Sequence, residues 1–309
     1  MSSRVRIILA VLAVVLACGG CGLGPGASGK SGASLTITRG FGGHQLHAVT
    51  SSKVPGSETV MRMLERSFSV STRYGGGFVE SINGAAPGGA HTDWFYYVNG
   101  VQAARGAATT AVHPGDHVWW DLHDWSATES IPAVVGSFPA PFSSGIAGKR
   151  YPVTLECAAD VGAACSRVTS ALNGVHIPVS SQLLGAGSGP DTLGIVVGTW
   201  TDIRSQVAAQ LIAHGPAASG VYARFSGPRG AGLELLDANG RVARTLGAGA
   251  GLIAATADTT SVPTWMITGT DPAGVKAAAA ALSAQALHDH FALAVDGAQR
   301  LPVPLQASR

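Results

Sequence analysis

The proline-rich stretch from residue 129 to 147 constrains the fold of this chain more than any other feature. It contains Ile131-Pro132 and the run Phe138-Pro139-Ala140-Pro141-Phe142, and it shows neither helical nor strand periodicity. Proline lacks the amide hydrogen that a strand ladder needs, and it blocks the interior of a helix. We therefore interpret residues 129–147 as a linker lying on domain surface, between one domain at 34–128 and another at 148–309.

The N-terminal domain has the pattern of a mixed sheet with one helix. Strands at Leu35–Thr38 and Gln45–Val49 precede a short helix whose N-cap is assigned to Ser57. Mostly strands follow, and Asn99-Gly100 is a strong signal for a β-hairpin. The helix is predicted because apolar residues recur at helical spacing, at Val60, Met61, Leu64 and Phe68.

Three sequence blocks in this domain resemble the transcobalamin C-terminal-like domain of bacterial surface proteins. They are YGGGFVESING at 74–84, DWFYYVNG at 93–100 and PGDHVWW at 114–120. The resemblance implies a β-grasp-like fold and a binding module rather than a catalyst. In the vitamin B12 carriers the domain forms one side of the cobalamin site, so a corrinoid is the ligand that the resemblance implies. The sequence shows no counterpart of the carriers' helical domain, which leaves the ligand open.

The C-terminal domain alternates strands and helices. Apolar strands at Tyr151–Leu155 and Thr192–Val197 are each followed by a helical pattern, the second from about Asp202 to Ile212 with Thr201 as N-cap. This alternation predicts a three-layer α/β domain whose sheet is at least partly parallel. The whole chain is thus predicted to be α+β: an N-terminal β-grasp-like domain with one helix on a mixed sheet, followed by a separate three-layer α/β domain.

The candidate ligand-binding residues centre on the strand from His117 to Trp125. Period-two alternation places Val118, Trp120 and Leu122 in the core and the intervening side chains on the opposite face. Aromatic faces beside imidazoles and a carboxylate suit a planar, partly polar ligand. The alternative is that these aromatic side chains belong to the core or cover the linker. The candidates, including two residues from a strand expected nearby, are Trp94, Tyr96, His117, Trp119, Asp121, His123 and Trp125.

Neither a metal site nor a catalytic centre is predicted. His117 and His123 are six residues apart on an extended strand, about 20 Å, and we interpret them as unrelated surface groups rather than joint metal ligands. The sequence has no G-x-S-x-G, H-E-x-x-H or P-loop motif. Asp121 with His123, and residues 288–290, are neighbouring acid–base groups without a nucleophile, and we interpret them as solvated polar residues. The protein is therefore expected not to be an enzyme and to need no cofactor.

The first 17 residues have the pattern of a secretory signal peptide. Arg4 and Arg6 precede an apolar run of about eleven residues, which is too short to span a bilayer. Cys18 ends a lipobox-like VLAC sequence, and Cys21 is a second candidate for lipidation. An ordinary signal peptide cut nearby is the alternative. Residues 18–33 then form a Gly/Ser/Ala tether, so we expect a protein lipid-anchored to the extracytoplasmic face of the cell membrane.

An exported protein would keep a disulfide between Cys157 and Cys165, which are eight positions apart. The alternative, a redox-active dithiol, lacks the usual C-x-x-C spacing.

Charge bears on the class of partner. Without Arg4 and Arg6, the 20 basic residues become 18 and equal the 18 acidic ones, which argues against nucleic acid as a partner. We expect a binding protein for a small ligand, with a cobalamin-like molecule as the candidate. The alternative is a cell-envelope protein that docks another protein, such as a membrane transporter, and has no ligand of its own.

Overall fold

A computed structural model describes residues 31–187, 189–258 and 262–306. The chain from Ser31 onward forms one compact unit. The predicted signal peptide, the lipidation candidates Cys18 and Cys21, and most of the predicted tether lie outside the described residues. Within the described ranges, no helix combines the length and the apolar character needed to cross a bilayer.

The first half of the chain builds a five-stranded mixed sheet and a separate two-stranded hairpin. The five-stranded sheet has the order β2-β1-β7-β5-β6, in which β1 and β7 are parallel and the other pairs are antiparallel. Strands β3 and β4 pair only with each other. The elements are β1 (Ala33–Arg39), β2 (His44–Ser51), α1 (Val60–Ser67), β3 (Val70–Arg73), β4 (Phe78–Ile82), β5 (Thr92–Val98), β6 (Val101–Gln102) and β7 (His117–Asp124).

Helix α1 covers one face of the five-stranded sheet, as the sequence predicts. Its N-cap is Thr59, whose side chain accepts a hydrogen bond from the Arg62 amide at 3.2 Å, so the assignment to Ser57 was wrong. Ser57 instead uses its carbonyl to accept from the Arg62 guanidinium. The buried helix residues Val60, Met61, Met63 and Leu64 share a core with Leu35, Ile37, Val118, Trp120 and Leu122 of the sheet.

The second half is built on a seven-stranded sheet with the order β17-β16-β14-β15-β10-β8-β9. Strands β9, β8, β10 and β15 are parallel, and the remaining pairs are antiparallel. Strands β11, β12 and β13 form a small sheet of their own. The elements are β8 (Val153–Cys157), α2 (Gly162–Gly174), β9 (Ser180–Leu183), β10 (Leu193–Thr199), α3 (Trp200–Ile203), α4 (Val207–Ala213), α5 (Pro216–Ser219), β11 (Ala223–Ser226), β12 (Gly232–Leu236), β13 (Val242–Leu246), β14 (Ala250–Thr256), β15 (Thr264–Gly269), α6 (Pro272–Ala281), α7 (Ala284–Leu287), β16 (Ala292–Asp296) and β17 (Gln299–Val303).

The seven-stranded sheet is covered on both faces. Helices α2 and α6 pack on one face. Helices α3 and α4 and the small sheet contribute to a second apolar cluster on the other face, and this cluster also contains Phe41, Tyr97 and Trp119 from the first half. The predicted α+β class is confirmed, and the two halves share a core.

The helix predicted from about Asp202 to Ile212 is two short helices. Thr199 forms a capping box with Asp202 at the start of α3, so Thr201 is not the N-cap. Helix α4 begins again at Val207 after a break. The apolar pattern continued through this break because Ile203 and Ala208 are both buried against the sheet.

The predicted disulfide is confirmed. Cys157 ends β8 and Cys165 lies in the first turns of α2, and their sulfur atoms are bonded across a Cα–Cα distance of 6.2 Å. The bond therefore fastens a helix to the strand that immediately precedes it.

The segment at 129–147 connects the two halves but is not a surface linker. Val134 donates its amide to Gly100 O at 2.8 Å, and Val135 donates to Phe291 O at 3.1 Å, so neighbouring residues bond to opposite halves. The apolar residues expected to lie on domain surface are core instead, because both halves close over them. They are Val134, Val135, Phe138 and Phe142.

Candidate functional site

The candidate residues are divided between the two faces of the first sheet. In the β5–β7 register, directly opposed residues share a face. Trp94 and Tyr96 therefore lie on the α1 face, away from Trp119. The opposed pairs are Trp94 with Leu122, Phe95 with Asp121, Tyr96 with Trp120 and Tyr97 with Trp119.

Trp94 and Tyr96, on the α1 face, have structural contacts with the helix and with the loop before β7. Trp94 is buried in the cluster that holds α1 against the sheet. The Tyr96 hydroxyl hydrogen-bonds to Thr110 Oγ1 at 2.8 Å and donates to the carbonyl of Arg105. These contacts tie the loop before β7 to the sheet.

The opposite face is buried by the second half of the chain. Trp119 and Asp121 have no exposed surface, and His123 retains 2%. Phe291 packs edge-on against the rings of Trp119 and His123. The alternative interpretation, that the aromatic side chains belong to the core, describes Trp119. A planar ligand could stack here only by displacing the second half.

Asp121 is the centre of a buried hydrogen-bond network. Its carboxylate accepts from the amides of Phe41 and Gly42, both at 2.9 Å, and from the hydroxyl of Thr38. The Trp119 indole N–H donates to the same Thr38 hydroxyl at 2.7 Å. A buried carboxylate needs such donors to replace its hydration. The turn between β1 and β2 is thereby fixed to β7.

His123 continues this network toward the aromatic side chains. Its Nδ1 atom hydrogen-bonds to Asp121 Oδ1 at 2.8 Å. The imidazole stacks on Phe95 with ring centroids 4.4 Å apart and on Phe41 at 4.6 Å. The interpretation of Asp121 and His123 as solvated polar residues was wrong, because the second half covers them.

Asp289 faces this network from the second half. It is buried, with Oδ2 3.2 Å from His288 Nδ1 and with Oδ1 lacking a hydrogen-bond partner among the described residues. Burial raises the pKa of Asp289; His288 opposes the rise and Asp121 adds to it. The interpretation of residues 288–290 as solvated was therefore wrong for Asp289.

His117 lies where the first sheet meets the 129–147 segment. Its Nε2 atom is 3.0 Å from Thr36 Oγ1, and its Nδ1 atom is 2.9 Å from Ser137 Oγ. Burial, together with a smaller effect of the charge of His288, lowers the pKa of His117 to about 4. The imidazole is therefore neutral at physiological pH and serves the junction as a hydrogen-bonding group.

We expect His117 to make the protein less stable in acid. Between about pH 6.5 and 4 the unfolded chain binds a proton at His117, whereas the folded chain keeps the imidazole neutral. The free energy of unfolding therefore falls as the pH falls. His117→Gln should reduce the slope of unfolding free energy against pH by up to about 1.4 kcal/mol per pH unit. Urea denaturation across this range measures the slope. The same change at the exposed His44 is the control, and equal slopes for both variants would contradict the assignment.

Trp125 is a lining residue of an open cleft. The cleft has a volume of about 380 Å³ and lies beyond the end of β7, against Ala217 of α5. The rings of Trp125 and His91 meet edge-on with their centroids 4.9 Å apart. The backbone amide of Trp125 donates to the carbonyl of His91. The other lining residues are Ser126, Ala127, Thr128, Glu129 and Ser130.

Residues 57–124 match the family model described as "Domain of unknown function (DUF4430)". No curated protein matches the chain. The matched segment covers less than a quarter of the sequence and runs from just before α1 to the end of β7. It includes most of the candidate residues but omits β1 and β2, Trp125 and the cleft-lining loop.

The sequence did not reveal the residues that complete the buried face. Phe41, Asp289 and Phe291 come from segments far apart in the chain, so no local pattern points to them. Phe95 is the exception, because it alternates with Trp94 along one strand and must therefore point to the other face of the sheet. No group of three or more His, Cys, Asp or Glu side chains suited to a metal ion occurs in the described ranges.

Proposed function

We propose that this protein is an extracytoplasmic, lipid-anchored binding protein whose small ligand occupies the cleft beside Trp125. The observation that supports the proposal is the cleft itself, which places an indole ring beside hydroxyl groups and a carboxylate. Binding sites for small molecules combine apolar surface with a few polar groups in this way. The disulfide supports export, because such bonds persist in oxidising compartments.

The corrinoid implied by the transcobalamin resemblance does not fit the buried face. The second half already occupies the side of Trp119, Asp121 and His123 on which a flat ligand would stack. The cleft beside Trp125 is close to the lower limit of roughly 300 Å³ for sites that enclose drug-sized ligands. A corrinoid would extend well beyond it. We therefore favour a smaller ligand than cobalamin.

A ligand screen on the purified full chain tests the proposal. Cyanocobalamin, haemin and panels of amino acids, sugars and amines are added separately, and the melting temperature is recorded. A small molecule that binds in the cleft should raise the melting temperature of the wild type but not of Trp125→Ala. A shift with cyanocobalamin that survives Trp125→Ala would place a corrinoid elsewhere. No shift with any compound would favour protein docking.

Protein docking is the second candidate, and the β3–β4 hairpin favours it. Tyr74 is 88% exposed and Phe78 is 43% exposed at its tip. The left-handed backbone of Tyr74, with φ of 52°, costs energy and is found more often at functional positions than elsewhere. Arg73 and Glu80 form an ion pair across the hairpin, so the tip offers no unpaired cation to anionic lipid. An exposed tyrosine whose charged neighbours are paired with each other suits an apolar pocket on a protein partner.

Site-specific photocrosslinking in cells tests this second candidate. A photoreactive phenylalanine at position 74 should give one discrete protein adduct. The same group at Val242, which is also exposed but lies on β13, should give none. Identical adducts from both positions, or no adduct from position 74, would exclude the hairpin as the docking surface.

A further inference from the structure

The loop that forms the cleft beside Trp125 is held in place at both ends. The Asp124 carboxylate accepts the amide of Ser126 at 2.8 Å. At the other end, Gln102 Oε1 accepts from the hydroxyl of Ser130 at 2.7 Å and from the amide of Ile131 at 3.1 Å. Because both ends are bonded, little ordering entropy remains to be lost when a ligand binds.

The charges around the cleft are predominantly acidic. Glu129 is the only ionisable side chain among the seven lining residues. Asp124 directly precedes Trp125 and is partly exposed. The β12–β13 turn, which approaches Ala127 at Gly240, adds Asp237. Asp124, Asp237 and the exposed Arg241 of the same turn lie outside the lining, so Glu129 is the charge within the cleft and the other three surround it.

Tyr222 adds a polar group behind Asp124. Its hydroxyl is buried and has no hydrogen-bond partner among the described residues. Burial raises the pKa of Tyr222, and the charge of Asp124 raises it further, so the phenol stays protonated and keeps a hydrogen to donate.

An indole ring beside carboxylates suits one class of ligand. The face of an aromatic ring attracts cations, most strongly for tryptophan, and carboxylates add a direct Coulomb attraction. An anion would meet like charge from both Glu129 and Asp124. We propose that the cleft binds the cationic group of a small organic molecule, with Trp125 and Glu129 as its contacts and with the nearby Asp124 adding to the Coulomb attraction. This inference rests on the proposed small-ligand function.

Choline and its neutral isostere 3,3-dimethylbutan-1-ol separate charge from shape. Each compound is titrated into the purified full chain in an isothermal titration calorimeter. The dissociation constant for choline should be at least tenfold lower than that for the neutral alcohol. Trp125→Leu and Glu129→Gln should each weaken choline binding several-fold, while Trp125→Phe should retain part of it. Glu65→Gln, an exposed acidic residue on α1, is the matched control and should change nothing.

The outcomes distinguish the two proposals. Equal affinity for choline and the alcohol, lost in Trp125→Leu, would overturn the cation inference but support a small-ligand cleft. Choline binding that Trp125→Leu and Glu129→Gln leave unchanged would overturn the assignment to this cleft. If neither compound binds, the cation inference is overturned, and the wider ligand screen then decides whether the cleft binds any small molecule.

Discussion

Gly42→Ala is expected to separate the two halves of the molecule or unfold it. Gly42 has a φ of 78°, and a Cβ atom there would lie 1.7 Å from the backbone oxygen of Asp289. The left-handed backbone alone costs an alanine about 1–2 kcal/mol. The steric overlap adds about 3 kcal/mol, since backbone on both sides would have to move. Calorimetry should show a much lower melting temperature or two transitions in place of one.

Gly84→Ala separates these two contributions. Gly84 has a φ of 81° in an exposed turn, and no atom lies within 4 Å of the position its Cβ would take. This control should lose only the conformational part, about 1–2 kcal/mol. Equal losses in the two variants would show that the contact with Asp289 contributes nothing to the junction.

Asp121→Asn is expected to be the most damaging isosteric change in the buried network. Oδ1 accepts from Phe41 and His123, and Oδ2 accepts from Gly42 and Thr38. Whichever way an asparagine amide turns, its NH₂ group faces a backbone N–H donor, either that of Phe41 or that of Gly42. Leaving buried donors unsatisfied costs about 1–3 kcal/mol each, so we expect a loss of about 3 kcal/mol in urea denaturation.

The matched control is Asp160→Asn, which makes the same change at an exposed position on the surface. Surface substitutions of this kind usually stay within about 0.5 kcal/mol. A loss at Asp121 as small as that at Asp160 would mean that the network contributes little to stability.

The sequence correctly predicted the features that depend on residues close together in the chain, namely a helix, a turn and the two faces of a strand. The spacing of Val60, Met61 and Leu64 predicted α1, and Asn99-Gly100 predicted the turn into β6, where both residues have positive φ. The alternation along β7 correctly separated its two faces. Each of these features depends on residues within a few positions of one another.

The candidate site could not be predicted in the same way because burial here is decided by distant segments. Alternation placed Trp119, Asp121 and His123 on one face but carried no information about what covers it. The covering residues Phe291 and Asp289 lie about 170 positions further along the chain. The prolines exclude regular structure at 129–147, but irregular backbone does not by itself imply a surface position. Irregular backbone can instead be buried when its amides find partners, as those of Val134 and Val135 do.

The contact between Gln306 and the β1–β2 turn shows how far the halves depend on each other. The Gln306 side chain donates to the carbonyl of Gly40 at 2.7 Å, so the last described residue holds one of the first turns in place. A fragment ending at residue 128 would expose Tyr97 and Trp119 to water, and it should aggregate rather than behave as a transferable module. The two halves are therefore expected to unfold together in a single cooperative transition rather than as independent modules.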